Sequence, residues 1–321
     1  MRDKTQLTIG SDVNGNSTGN GNDITIKANS IILDNEAIVA ASILNGKGKD
    51  GNPAQAGNVT LEARDQVSLK NNTGVFSEVG QYSFGNGGII KIKSPEVSLD
   101  NNVSLITRIQ ETGKDKAGDI NIETGRLSAS RDSGLDATSS GQGSAGSIKI
   151  NASNAVTFQG GGANTWVNSD AKGDGGNISI DTGILSVKDG AQVLTRTSGE
   201  GNAGSVNINA TGTVFLSGFI GNADPTIGSD VNGNGTGNGN DITIKANSII
   251  LDNEAIVAAS ILNGKGKDGN PAQAGNVTLE ATDQVSLKNK ARVYSEVGSN
   301  SFGNGGSINI IYNIAGSIFR Q

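Results

Sequence analysis

The stretch Gly173–Gly204, GDGGNISIDTGILSVKDGAQVLTRTSGEGNAG, holds three short runs in which apolar and polar residues alternate. The runs are Ile178-Ser179-Ile180, Leu185-Ser186-Val187 and Val193-Leu194-Thr195, and a tract of Gly and Asp precedes the first. A period of two places Ile178, Ile180, Leu185 and Val187 on one face of extended backbone, with Ser179 and Ser186 on the other. The connections Asp181–Gly183 and Lys188–Ala191 are too short for a helix. A three-stranded unit of this size cannot bury its own apolar face, so it requires copies stacked above and below it.

The copies are present. The first aliphatic recurs at Ile24, Val59, Ile90, Ile120, Ile148, Ile178, Val206, Ile242, Val277 and Ile308, at spacings of 28 to 36 residues. Two residues on, a second aliphatic follows every time, from Ile26 and Leu61 to Leu279 and Ile310. A second strand opens seven or eight residues after each anchor, at Ile31, Val67, Val97, Leu127, Val156, Leu185, Val214, Ile249 and Val285. A weaker third strand runs through Val39, Val75, Leu105, Leu135, Val193, Val257 and Val293. The pattern predicts an all-β chain: a parallel β-helix, or solenoid, with three short strands per coil and about nine or ten coils of 28–36 residues.

The organisation expected is one β-helix over residues 1–321. Residues 1–21 form a partial first coil, 22–310 the regular coils and 311–321 an irregular C-terminal tail. Residues 8–72 return at 226–290 with three differences, Ser17/Gly235, Arg64/Thr282 and Asn72/Lys290, and a looser match extends the duplication to 8–92 and 226–310. A stack tolerates duplicated blocks because each coil touches only its neighbours. With both terminal coils open, end-to-end self-association is expected. The longest excursion, Leu44–Gly57 and its copy Leu262–Gly275, reads as surface decoration. Small polar residues stand just before the first strand, at Asn58, Asp119, Ser147, Asn177, Ser205, Asp241, Asn276 and Ser307. They suit a corner with positive φ or an Asx-type turn, and a ladder of side-chain hydrogen bonds from coil to coil.

Glycine accounts for 48 of 321 residues and aromatics for 3%, a composition that by itself suits a disordered chain. The apolar residues argue for order because they fall in register, and each buried aliphatic contributes roughly 1.5–3 kcal/mol. Net charge is −6 without a basic cluster, which disfavours nucleic acid and anionic lipid as partners.

Chemistry is sparse. With no His and no Cys there is no Ser-His-Asp triad, Cys-His dyad or His-ligated zinc site. Asp132 and Asp136 flank Ser133-Gly134 as a solvated loop would, and clustered carboxylates with Arg or Lys on one strand face are not evident. Gly19–Asp23 (GNGND) has the composition of a calcium-binding nonapeptide, but Thr25 stands where its aliphatic belongs and no tandem copy follows. The single tryptophan, Trp166, falls in a third-strand region, where it reads as a filler at the coil edge rather than a platform for a sugar. No catalytic, cofactor-binding or metal-ligating residue is assigned, and an enzyme is not expected.

The runs AGDINI (117–122), AGSIKI (145–150), GGNISI (175–180), AGSVNI (203–208) and GGSINI (305–310) resemble a known family. They look like the coil repeats of filamentous-haemagglutinin-like exoproteins of the two-partner secretion type, particularly the large cyanobacterial ones. The resemblance covers nearly all of residues 8–310. It implies a right-handed parallel β-helix, export through a partner outer-membrane transporter, and a secreted or cell-surface structural and adhesive role. A surface glycan or protein receptor would be its partner. Met1–Gly10 has no apolar stretch of signal-peptide type, so the chain is expected to be an interior segment of such an exoprotein. The competing expectation is a polysaccharide-binding or polysaccharide-processing β-helix.

The assigned register makes a direct prediction. Ile180→Asp places an unpaired carboxylate between Ile150 and Ile208 and should collapse the fold, whereas Ser179→Asp faces outward and should cost less than about 0.5 kcal/mol. Thermal melts of the two variants check this, and equal melting temperatures would contradict the register.

Overall fold

The computed structural model describes residues 7–312 apart from 16, 45, 47–53, 81–82, 84, 111–115, 219–223 and 267–268. Among the described residues there is no α-helix, and every strand pairing is parallel. The chain is a parallel β-helix of about nine turns, built on an 11-stranded and a 12-stranded sheet.

The anchor aliphatics stack as the repeat predicts. Ile178 pairs with Ile148 and Val206, and Ile180 with Ile150 and Ile208, all fully or almost fully buried. The third strand is likewise in line: Leu105 pairs with Val75 and Leu135, and Val193 with Ala163 and Ile227. Ala163 and Ile227 fill the two coils in which the sequence pattern shows no third-strand anchor. Packing between coils compensates for size, since the buried Phe158 lies between Ala129 and Val187.

One expectation is corrected. The first and second strands are not separated by a turn; they form one continuous strand of 10–12 residues, such as Ile90–Asp100 or Ile178–Lys188. Asp181–Gly183 therefore lies inside a strand. Among the described residues only Val206–Ala210 and Thr213–Ser217 form a separated pair. The seven-or-eight-residue spacing read from sequence is absorbed here as a bulge: register shifts occur at Lys93/Glu96, Thr124/Arg126 and Ala152/Ala155, where coils of the two spacings meet.

Left-handed backbone also lies elsewhere than expected. None of the small polar residues before the first strand has positive φ. Paired left-handed residues instead turn the chain between the second and third strands, at Asn71-Asn72, Asn101-Asn102, Arg131-Asp132 and Asn253-Glu254. Asn dominates there because it tolerates this conformation and can bond to the next coil. Asn101 Nδ2 donates to Asn71 Oδ1 and Asn102 Nδ2 to Asn72 Oδ1, both at 2.7 Å.

The expected ladder before the first strand does form. Asp119 Oδ1 accepts from Ser147 N at 2.8 Å, Ser147 Oγ from Asn177 N at 3.2 Å, and Asn177 Oδ1 from Ser205 N at 2.8 Å. Asp23, the acid of the calcium-like stretch, belongs to this ladder, with its Oδ1 accepting from Asn58 N at 2.8 Å.

Two interior columns were not anticipated. Two residues before each anchor stands Gly57, Gly88, Gly118, Gly146, Gly176, Gly204, Gly275 or Gly306, with Asn22 and Asn240 in the other two coils. A Cβ on Gly176 would overlap the carbonyl oxygen of Gly146, and one on Gly146 that of Gly118. The second Gly of the AG and GG motifs is thus fixed by backbone stacking on backbone. A column of Ser and Thr on the third strands bonds the same carbonyls across the coil. Thr107 Oγ1 donates to Gly118 O at 2.5 Å, Thr165 Oγ1 to Gly176 O at 2.6 Å and Thr195 Oγ1 to Gly204 O at 2.5 Å.

The long excursion is more than decoration. Its last residues Ala54 and Ala56 close a small second core with Ile43, Val79 and Ile109, and Ala272 and Ala274 do the same with Val231 and Ile261. At the C-terminal end, Ile308–Tyr312 pairs with Val277–Ala281 and stays exposed, so Ile311 and Tyr312 continue a strand; residues 313–321 of the expected tail lie outside the described residues. At the other end, Thr8–Gly10 pairs with Ile38–Ala40, while residues 1–6 lie outside.

Gly176→Ala should therefore destabilise the chain by about 1–3 kcal/mol although it adds one methyl group, because the coils must part to admit it. Urea melts measure this. A neutral effect would show that the coils are not in backbone contact at this column.

Candidate functional site

Alternation along the third strands sends every other side chain outward, and parallel pairing sets these in rows. One row reads Glu78, Arg108, Thr138, Trp166, Arg196, Asp230 across six consecutive coils. The adjacent row reads Phe76, Ile106, Asp136, Asn164, Leu194, Gly228. The rows place three carboxylates, two guanidiniums and an indole on one face. No such grouping is visible along the sequence, and the structure corrects that expectation: the members lie 28 to 34 residues apart and meet only through the stack.

Trp166 is corrected with them. It does not fill the coil edge but points outward, 38% exposed, from the strand Gly162–Val167. Its Nε1 donates to Ser198 Oγ at 3.3 Å, and the Arg196 guanidinium lies 5.2 Å from the ring centroid. Asp136 is corrected too. It stands on the strand Gly134–Ser139, half-buried, accepting a short hydrogen bond from Thr138, while Asp132 alone occupies the corner turn. A groove of ≈ 450 Å³ runs beside these residues, lined by Arg108, Asp136, Thr138, Trp166 and Asn168 among others.

The electrostatics of this face are unusual for so polar a surface. Burial pushes the Glu78 and Asp136 carboxyls up from the ordinary carboxylate range, offset only in part by the Arg108 guanidinium at Glu78 and by the Thr138 hydrogen bond and then Arg108 at Asp136. Asp230 is pushed up to about 6, again chiefly by burial and against the attraction of Arg196. Arg108 faces Glu78 at 3.8 Å and Arg196 faces Asp230 at 3.7 Å, too long for direct hydrogen bonds. By contrast the half-buried Asp100 is held below its ordinary range by hydrogen bonds from Arg131.

A wider cleft lies over the Asn corner, bounded by Asn101, Arg131, Gln159 and Asp189. Its polar groups already serve the ladder, as where Gln159 Nε2 donates to Asp189 Oδ2 at 2.7 Å. The third-strand groove is the stronger candidate because its charges are incompletely paired.

Comparison of the chain with protein-family models, with curated proteins and with solved structures finds no match. The class that the fold defines is the parallel β-helix.

The raised Asp230 fixes a pH dependence. Its folded pKa of about 6 exceeds the ordinary 3.8, so the stabilisation from its protonated form is complete below about pH 4 and is lost as pH rises through about 6. Asp230→Asn, which keeps the neutral shape, should stabilise the fold at pH 8 by on the order of 3 kcal/mol at most, raising the melting temperature there, and leave it unchanged at pH 3.5. Calorimetry at the two pH values measures the difference; a variant less stable at pH 8 would show that the Arg196 pairing outweighs burial.

Proposed function

We propose that the chain is a rigid, non-enzymatic rod segment of a secreted or cell-surface adhesive protein of the haemagglutinin-like kind, exported through a partner outer-membrane transporter. The observation that carries this reading is the unbroken stack. The inward positions repeat from coil to coil, while the outward positions of the third strands change in every coil. Such a scaffold holds varied side chains at fixed spacing, as a contact surface requires. Its partner would be a surface glycan or a protein receptor. The exposed strands Ile308–Tyr312 and Thr8–Gly10 would also allow end-to-end self-association.

A second reading, a polysaccharide-binding or polysaccharide-processing β-helix, is favoured by Trp166 standing beside the half-buried Asp136 and Arg108. Processing would release new reducing ends or unsaturated sugars, and binding alone would release neither.

Antibody raised against the chain should label intact cells of the source organism, and brief surface proteolysis should remove the label. Label seen only after lysis would overturn the surface assignment. Surfaces coated with the purified chain should retain polysaccharide-coated beads better than albumin does, without release of sugar fragments. Release of fragments that stops in Asp136→Asn would favour the processing reading.

A further inference from the structure

We propose that the groove beside Trp166 binds an uncharged, hydroxyl-rich glycan chain laid along the rod axis, across the strands from Ser104–Ile109 to Gln192–Thr197. The proposal rests on the glycan-binding reading above and names its ligand class and site.

The first support is the indole. Trp166 is exposed at one face of the groove and its ring is fixed by Ser198 and Arg196. A large apolar face held in place with its polar edge satisfied suits the C–H face of a pyranose ring. Nothing in the core accounts for it, since the buried positions of this strand are taken by Ala163, Thr165 and Val167.

The second is the composition of the walls. Arg108 donates only, Asp136 accepts only, and Thr138 and Asn168 do both. A sugar hydroxyl is also both donor and acceptor and can bond each kind of wall.

The third is charge. This face holds Glu78, Asp136 and Asp230 against two guanidiniums, each already opposite a carboxylate. A uronate or sulfated chain would meet excess negative charge, whereas a hydroxyl donated to Asp136, the carboxylate that lines the groove, favours its ionised form. The 3.7 and 3.8 Å separations leave guanidinium N–H groups for a ligand to engage.

The fourth is spacing. The groove and the smaller pocket that adjoins it at Asp136 and Trp166, lined by Gln192, Leu194 and Arg196, together span four strands at ~4.8 Å intervals, roughly 14 Å, and the interval is close to the length of one sugar unit in a linear glycan. Successive sugars would meet successive coils.

Trp166 is the single tryptophan, so its fluorescence reports on the groove alone. Titration with cellohexaose and maltohexaose should give a saturable change with at least one of them, and oligogalacturonate should bind at least about tenfold more weakly. Trp166→Ala should keep its melting temperature and lose about tenfold or more in affinity for that hexasaccharide by calorimetry, with Trp166→Phe retaining part of it. Equal or tighter binding of oligogalacturonate, or unchanged affinity in Trp166→Ala, would overturn the proposal. Retention on neutral-glycan beads separates the two levels. Wild type and Trp166→Ala retained equally would leave glycan binding standing and remove the groove; retention of neither would remove both.

Discussion

Among the described residues, six coils are closed across their interior by a hydrogen bond from a third-strand hydroxyl to a glycine carbonyl, and in three others Ala41, Ala137 and Ala259 fill the same position. Thr107, Thr165 and Thr195 reach Gly118, Gly176 and Gly204 in this way, and Ser77 both donates to Gly57 O and accepts from Gly88 N, each at 2.9 Å. Buried hydroxyls and carbonyls are costly unless paired, so the bond sets how near the loop must come to the strand. That approach brings successive loops into backbone contact, and only glycine fits most of the resulting column. The Gly-rich loops are therefore among the most constrained parts of the molecule.

Once the loops are stacked, the corners become ladders. Backbone amides at the glycine corner donate to Asp, Asn or Ser of the neighbouring coil, and Asn side chains bridge the left-handed corner. Differences in coil length are confined to places that do not disturb this: a bulge between the first and second strands, and the excursions closed by the small second cores. The surface of the third strands is then free to vary. In the middle of the rod that variation assembles Trp166, two arginines and three partly or fully buried carboxyls.

Much of the fold was legible because the core repeats. Ile178 and Ile180 declare the first strand, and the spacing to Ile148 and Val206 fixes their neighbours. What was not legible depended on groups with no periodic apolar signal. The bend at Asp181–Gly183 looks like a turn in one coil, and only pairing with the neighbouring coil shows it to be strand. The Ser and Thr column does leave a trace, two residues beyond most third-strand anchors at Ser77, Thr107, Thr165, Thr195 and Ser229, but Ala41, Ala137 and Ala259 interrupt it and hydroxyl residues are common throughout this chain. The groove was illegible because Glu78, Arg108, Asp136, Trp166 and Asp230 belong to different coils, and their proximity requires the third-strand register. Trp166 was misplaced for the same reason: its neighbours Val167 and Thr165 point inward, but a three-residue alternation around a Thr gives no direction.

Glycine loops closed in this way are as rigid as the strands, and native-state hydrogen exchange tests that most directly. The amides of Gly88 and Asn240, which donate to the buried hydroxyls of Ser77 and Ser229, should exchange as slowly as the strand amides of Ile90 and Ile242. Rapid exchange at Gly88 and Asn240 beside protected strands would contradict the account, because the loops would then be ordinary surface connections and not the elements that close these coils.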